Sequence, residues 1–229
     1  MRAALLLLAL PASAQGKPHA DWDRLLQKHV SAGRVDYDGF ARDRAALDGY
    51  LRWAADAARK PDLAFYLNAY NATVVVSVLR HGRPVRILDV KGFFDGEKHR
   101  IAGEELTLND LETKVRKRFS DPRIHFALNC AARSCPPLLG RAFEPATLEA
   151  TLDDLTRGFL DGPGVKADVA KGTVAVSKLF EWYKADFVAK EGSVEKYLLR
   201  WVSDPVRRAA LAGGARVVFL DYDWSLNGR

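Results

Sequence analysis

Apolar positions recur along this chain with two alternating periods, and the changes of period mark out its elements. In Asp21 to Ser31, Trp22, Leu25 and Leu26 fall on one face of a helix, after which a polar turn at Gly33 leads into an extended Val35 to Tyr37. Arg42 to Ala58 is a second amphipathic helix. A third begins near Pro61, a residue suited to a first turn, and runs to about His81 with Gly82 as its C-cap. Its apolar residues go almost all the way round, from Leu63 and Phe65 to Val78 and Leu79, which predicts a central helix.

Beyond Pro84 short strands enter. His99 to Leu106, turning at Ala102-Gly103, reads as a hairpin, and Thr107 with Asp110 forms a capping-box pattern opening a helix to Arg118. Ile124 to Asn129 alternates and reads as a strand, with Ile124, Phe126 and Leu128 on one face and His125 and Asn129 on the other. Helices are predicted over Ala146 to Leu160, Lys178 to Phe187 and Val194 to Val202, with Ser177 and Ser193 as N-caps and a hairpin around Lys171-Gly172. The last strand, Arg216 to Tyr222, is apolar on both faces, which predicts an interior sheet position. Many helices with a few strands imply an α+β fold, mostly helices packed on a small mixed or antiparallel sheet.

The N-terminus bears on compartment. A charged Met1-Arg2, an apolar Ala3 to Leu10, Pro11 and the small triplet Ala12-Ser13-Ala14 have the order of a signal peptide cleaved after Ala14. The run is too short to span a bilayer core of about 30 Å, so the expected mature protein is periplasmic or secreted, without a transmembrane segment. At 229 residues, 48% hydrophobic and 28% charged, the remainder suits one globular domain, residues 15–229. A net charge of +6 raises the question of nucleic acid, but no element gathers Lys and Arg with interleaved aromatics. Lys114, Arg116, Lys117 and Arg118 read instead as a solvated last turn where cations suit the helix dipole. The partner expected is a small-molecule or envelope-derived ligand, not nucleic acid.

Candidate chemistry concentrates in His125 to Cys135. A His followed by a thiol-bearing turn is one way to bring together a general base and a nucleophile, making His125, Cys130, Cys135 and the adjacent Asn129 candidate catalytic residues. Both cysteines of the chain lie here, and two readings stay open. A Cys130-Cys135 disulfide would close a ring of six residues and contribute only about 2 kcal/mol. A functional thiol is the other reading. The spacing is not C-x-x-C, and His125, Cys130 and Cys135 match no usual zinc pattern, so neither metal nor cofactor is expected. Asn68 and Asn71 share a face of the central helix, either tying it to loop backbone or contacting a substrate. Arg133 and Ser134 could present donors to an anionic ligand.

Leu63-Ala64-Phe65-Tyr66-Leu67-Asn68-Ala69-Tyr70-Asn71-Ala72 and the block from Asp121 through His125-Phe126-Ala127-Leu128-Asn129-Cys130 to Ser134-Cys135-Pro136-Pro137-Leu138 resemble the bacterial exported members of domain-of-unknown-function family 547 (DUF547). Trp22 to Tyr37, Ser177 to Tyr183 with Asp186-Phe187, and Asp221 to Asn227 are similar to its other blocks, so the resemblance covers nearly the whole mature chain. It implies no reaction, the family being one of unknown function. One departure stands out: the family often has a His where this chain has Thr113. Two functions are weighed: a thiol- and His-dependent hydrolase or acyltransferase on an envelope amide or ester, and a non-catalytic binding module with a disulfide-closed loop.

Overall fold

A computed structural model describes residues 19–228. The proposed signal segment lies outside them. The order of elements is α1 (Ala20–His29), β1 (Val30–Ser31), β2 (Arg34–Val35), α2 (Tyr37–Arg42), α3 (Arg44–Ala55), α4 (Leu63–Arg80), β3 (His99–Ile101), β4 (Glu104–Leu106), α5 (Leu108–Phe119), a 3-10 helix Pro122–Phe126, α6 (Leu148–Leu160), β5 (Val165–Asp168), β6 (Thr173–Val176), α7 (Leu179–Trp182), α8 (Lys184–Glu191), α9 (Val194–Trp201), α10 (Pro205–Ala212) and β7 (Arg216–Phe219). Helices with small sheets make the fold α+β, as the pattern predicts.

Helix α4 is the axle. Every residue from Leu63 to Val78 is buried, and Asp62 caps its start by accepting the Phe65 N–H at 2.8 Å. The helix therefore begins just after Pro61 rather than at it. Around α4 lies one apolar cluster containing Trp22, Phe40, Tyr50 and Val115. A second, with Phe159, Val174, Phe180, Phe187 and Tyr197, is built by α6, the β5–β6–β7 sheet and α7 to α9. The capping box at Thr107 and Asp110 forms as the sequence implies, with reciprocal bonds of 3.0 and 3.1 Å. The hairpin β3–β4 turns at Ala102 and Gly103, both at positive φ, and its tip docks on α3 through Ala102 N–H to Ala54 O and Gly103 N–H to Ala55 O.

The predicted helix Lys178 to Phe187 breaks at Tyr183 into α7 and α8, and α10 was not predicted; three further elements differ from the sequence reading. Arg42 to Ala58 breaks after Arg42, so the predicted second helix is the end of α2 plus α3. The terminal strand β7 pairs only with β6, in parallel, at the edge of a mixed sheet of order β5–β6–β7. Val217 and Val218 are half-buried there and Phe219 is exposed, so apolar residues on both faces did not signify an interior position. The third difference moves the candidate site. Ile124 to Asn129 is not a strand: Asp121 Oδ1 accepts the Arg123 N–H, Pro122 fixes the next φ, and the chain winds into a 3-10 turn. His125 and Asn129 therefore share no strand face. No described helix is long and apolar enough to cross a membrane.

Candidate functional site

The 3-10 turn delivers His125 into a cavity of about 200 Å³ where the two apolar clusters meet. His125, Cys130 and Cys135 all line it. Helix α4 contributes Tyr70, α5 contributes Asn109 and Glu112, α7 contributes Leu179 and Trp182, and the terminal segment contributes Tyr222 and Trp224.

The imidazole is 4% exposed and fixed on two sides. Its Nε2–H donates to Asp186 Oδ2 at 2.9 Å, and its ring stacks on Tyr183 with centroids 4.1 Å apart. Arg116 holds the same carboxylate oxygen through Nε at 2.8 Å and lies over Tyr183, 4.5 Å from the ring centre. Arg116 is thus a load of positive charge turned inward rather than part of a solvated last turn. Burial lowers the pKa of His125 more than Asp186 raises it. The Asp186 carboxyl is held well below the ordinary range by the His125 hydrogen bond, against its partial desolvation, and by Arg116. The neutral ring keeps Nδ1 without a hydrogen-bond partner among the described residues, the arrangement of a base oriented by a carboxylate.

The cysteines are free thiols; no disulfide joins them. Each sulfur is engaged otherwise. Cys135 is buried, receives the Cys130 N–H at 2.8 Å and faces Leu128 O at 3.8 Å. Cys130 is half-buried and receives the Tyr222 hydroxyl at 3.3 Å. Burial works against ionising Cys130, yet hydrogen bonds from Cys135, Tyr222 and the Ala132 N–H hold its pKa below the ordinary thiol value. Burial pushes Cys135 up, and its neighbour Cys130 pushes it further. Of the two thiols, Cys130 is held toward ionisation and Cys135 away from it. Ala131, at φ +63°, lies in the bend between the two cysteines, which both line the cavity.

The paired carboxamides do not reach this cavity. Asn68 donates to Phe143 O and accepts from Phe143 N–H, both at 2.9 Å. Asn71 donates to Ala127 O at 3.0 Å and accepts the Asn129 N–H at 2.9 Å. Both tie α4 to loop backbone, because a carboxamide matches one peptide unit's donor and acceptor together. Asn129 is equally occupied: its amide donates to Pro136 O, and its oxygen accepts from Ala131 N–H and Asn227. Ser134 pairs with Asp223 and is a strut for the terminal segment. Arg133 is exposed and lines, with Arg34, another cleft that shares Cys135 with the first cavity and does not include His125. Among the described residues no group of three or more His, Cys, Asp or Glu is arranged to hold a metal ion.

Asp186, Tyr183, Glu112 and Tyr222 were not candidates from the sequence. Three of them stand in blocks that resemble the family, which was the available signal. Glu112 stands beside Thr113, whose own side lines a different cleft with Arg116 and Asp186.

The fold and cavity define the class: an α+β protein with two thiols and an Asp-oriented imidazole lining one aromatic-walled hollow. Residues 55–160 match the family model described as "Protein of unknown function, DUF547", which supports placing the chain with that family. No curated protein and no solved structure matches the chain.

Proposed function

We propose that this protein is a thiol-dependent hydrolase or acyltransferase acting on an amide or ester of the cell envelope. One observation carries the reading: Cys130, the more acidic of two thiols, and His125, oriented by Asp186, line the same cavity. The Cys130 thiol gives its proton to His125 Nδ1 and its sulfur attacks the substrate carbonyl. The tetrahedral oxyanion collapses, the C–N or C–O bond breaks, and the amine or alkoxide leaves with the proton from His125. Water or an acceptor amine or alcohol, deprotonated by the same ring, then attacks the thioester and frees Cys130. Asp186 stabilises the transient imidazolium, and Arg116 keeps Asp186 ionised and in place. No hydrogen bond joins His125 to either sulfur among the described residues; such pairs tighten when substrate binds. Tyr70, Trp182, Tyr222 and Trp224 favour a substrate with an apolar or aromatic group beside the scissile bond. The envelope assignment rests on the signal-peptide pattern of residues 1–14.

Alkylation with iodoacetamide, without reductant and followed by peptide mass spectrometry, tests it. The expected product carries one modification, on Cys130, formed faster than on a model thiol, with the pH midpoint displaced by Asp186→Asn. Complete protection of both sulfurs in native protein would refute the reading in favour of the disulfide-closed binding module.

A further inference from the structure

A second cleft, of about 380 Å³, opens between α3, α4 and β3, on residues the chemistry above does not use. Its rim is cationic. Arg44, Arg52, Arg80, Lys98 and Arg100 line it against a single carboxylate, Asp48. Arg44 is paired with Asp48 and Arg80 with Glu97, while Arg52, Lys98 and Arg100 have no ion pair among the described residues.

Its floor supplies the second observation. Thr73, on α4, is 1% exposed and its Oγ1 has no hydrogen-bond partner among the described residues. His99, on β3, is 9% exposed, and its Nε2 likewise has none among the described residues. Both side chains line the cleft. A buried polar group left unpaired costs about 1 to 3 kcal/mol, so two at the base of one basic cleft are a standing cost that an incoming acceptor removes. The floor is also held firm, because the β3–β4 hairpin is hydrogen-bonded to the end of α3.

We infer that this cleft is a binding site for a phosphate-bearing anion, with Arg52, Lys98 and Arg100 gripping the charge and Thr73 Oγ1 and His99 Nε2 donating to its oxygens. A tetrahedral oxyanion suits the set: it offers several acceptors in different directions, and guanidinium groups bind phosphate with two parallel donors. A volume near 380 Å³ leaves room for part of the molecule that carries the phosphate.

Isothermal titration with inorganic pyrophosphate at fixed salt is the test, alongside sedimentation with phosphatidylglycerol vesicles and phosphatidylcholine vesicles as the neutral reference. Wild type is expected to bind pyrophosphate, the phosphatidylglycerol vesicles, or both, and the arm that responds identifies a soluble phosphate ester or a lipid headgroup as the source. Thr73→Val, which changes shape little and charge not at all, should weaken that binding about tenfold, the scale of one hydrogen bond to a charged group. Thr73→Ser, which keeps the hydroxyl, should retain it. The double variant Arg52→Ala/Arg100→Ala should weaken it further, while Lys60→Ala/Lys184→Ala, of equal charge loss elsewhere on the surface, should not. Binding of neither probe, or affinity unchanged in Thr73→Val, or equal weakening by the two charge-matched pairs, would overturn the site in favour of diffuse attraction to a basic surface.

Discussion

Replacing Asn71 by Leu separates a structural carboxamide from a catalytic one. Leu keeps the volume, so the loss is confined to two hydrogen bonds at 3.0 and 2.9 Å, to Ala127 O and from Asn129 N–H. Both backbone partners are buried beside α4, where water does not replace the side chain. At about 1 to 3 kcal/mol for each group left unpaired, the variant should lose about 4 kcal/mol, or about 10 °C in melting temperature for a chain of this size. Urea unfolding followed by tryptophan fluorescence reads the energy directly. Asn68→Leu orphans the Phe143 N–H and C=O instead, and should cost about as much. The two variants part at the cavity. Asn71 holds the backbone leading into Cys130, so Asn71→Leu should speed alkylation of the buried Cys135, while Asn68→Leu leaves it unchanged. A loss below about 1 kcal/mol in Asn71→Leu would show that the loop satisfies its backbone without the carboxamide, and the reasoning would fail.

Other expectations follow from the same geometry. Burial lowers the pKa of His19 from 6.5 to about 4, against the attraction of Asp62. The unfolded chain therefore takes up this proton first: the contribution is complete above pH 6.5 and is lost between pH 6.5 and about 4, an effect of about 3 kcal/mol. A melting temperature that stays level from pH 7 to pH 4, or falls equally in His19→Gln, would contradict it. Gly39→Ala should destabilise by about 2 kcal/mol in thermal denaturation, since its Cβ would stand 2.2 Å from His29 Nδ1 and push apart the His29–Asp43 pair; an unchanged melting temperature would show that the ring moves freely. Arg123 joins Asp121, Glu149 and Asp153. Arg123→Ala should cost about 2 kcal/mol in urea titration, less than a fully buried pair because Glu149 and Asp153 are solvated, and an effect within experimental error would mean that solvent takes over all three carboxylates.

What was legible in the sequence follows from which forces are local. The Thr107 capping box and the Ala102-Gly103 turn depend on residues a few positions apart and form where the pattern puts them, and the amphipathic helices form with their breaks displaced. Helix α4 was readable as central because no face of it is polar. Asn68 and Asn71 were open to two readings, substrate contact or a tie to loop backbone, and their carboxamides bond backbone at Phe143, Ala127 and Asn129. His125, singled out from the sequence, lines the candidate cavity, but from a 3-10 turn and not from a strand. Alternation in Ile124 to Asn129 mimics a strand, but the segment is buried on every side, so period two carries no information, and Asp121-Pro122 dictates the turn. Asp186 was not legible as a partner because a carboxylate on an amphipathic helix looks solvated until a chain segment 61 residues distant brings an imidazole to it. The terminal strand was misplaced for a related reason. Val217 and Val218 report apolar surroundings, and a partly covered edge supplies those as well as an interior does.

The cavity's wall is drawn from stretches that are far apart in the chain, and this bears on any attempt to isolate its chemistry in a shorter piece. The span 55–160 carries His125 and both sulfurs. It carries neither Asp186, which orients the ring, nor Tyr222, whose hydroxyl meets the Cys130 sulfur, nor Trp182 and Trp224, which line the cavity. An excised fragment of that span would hold the imidazole and both sulfurs without the rest of the wall around them, and its behaviour would not report on the intact cavity.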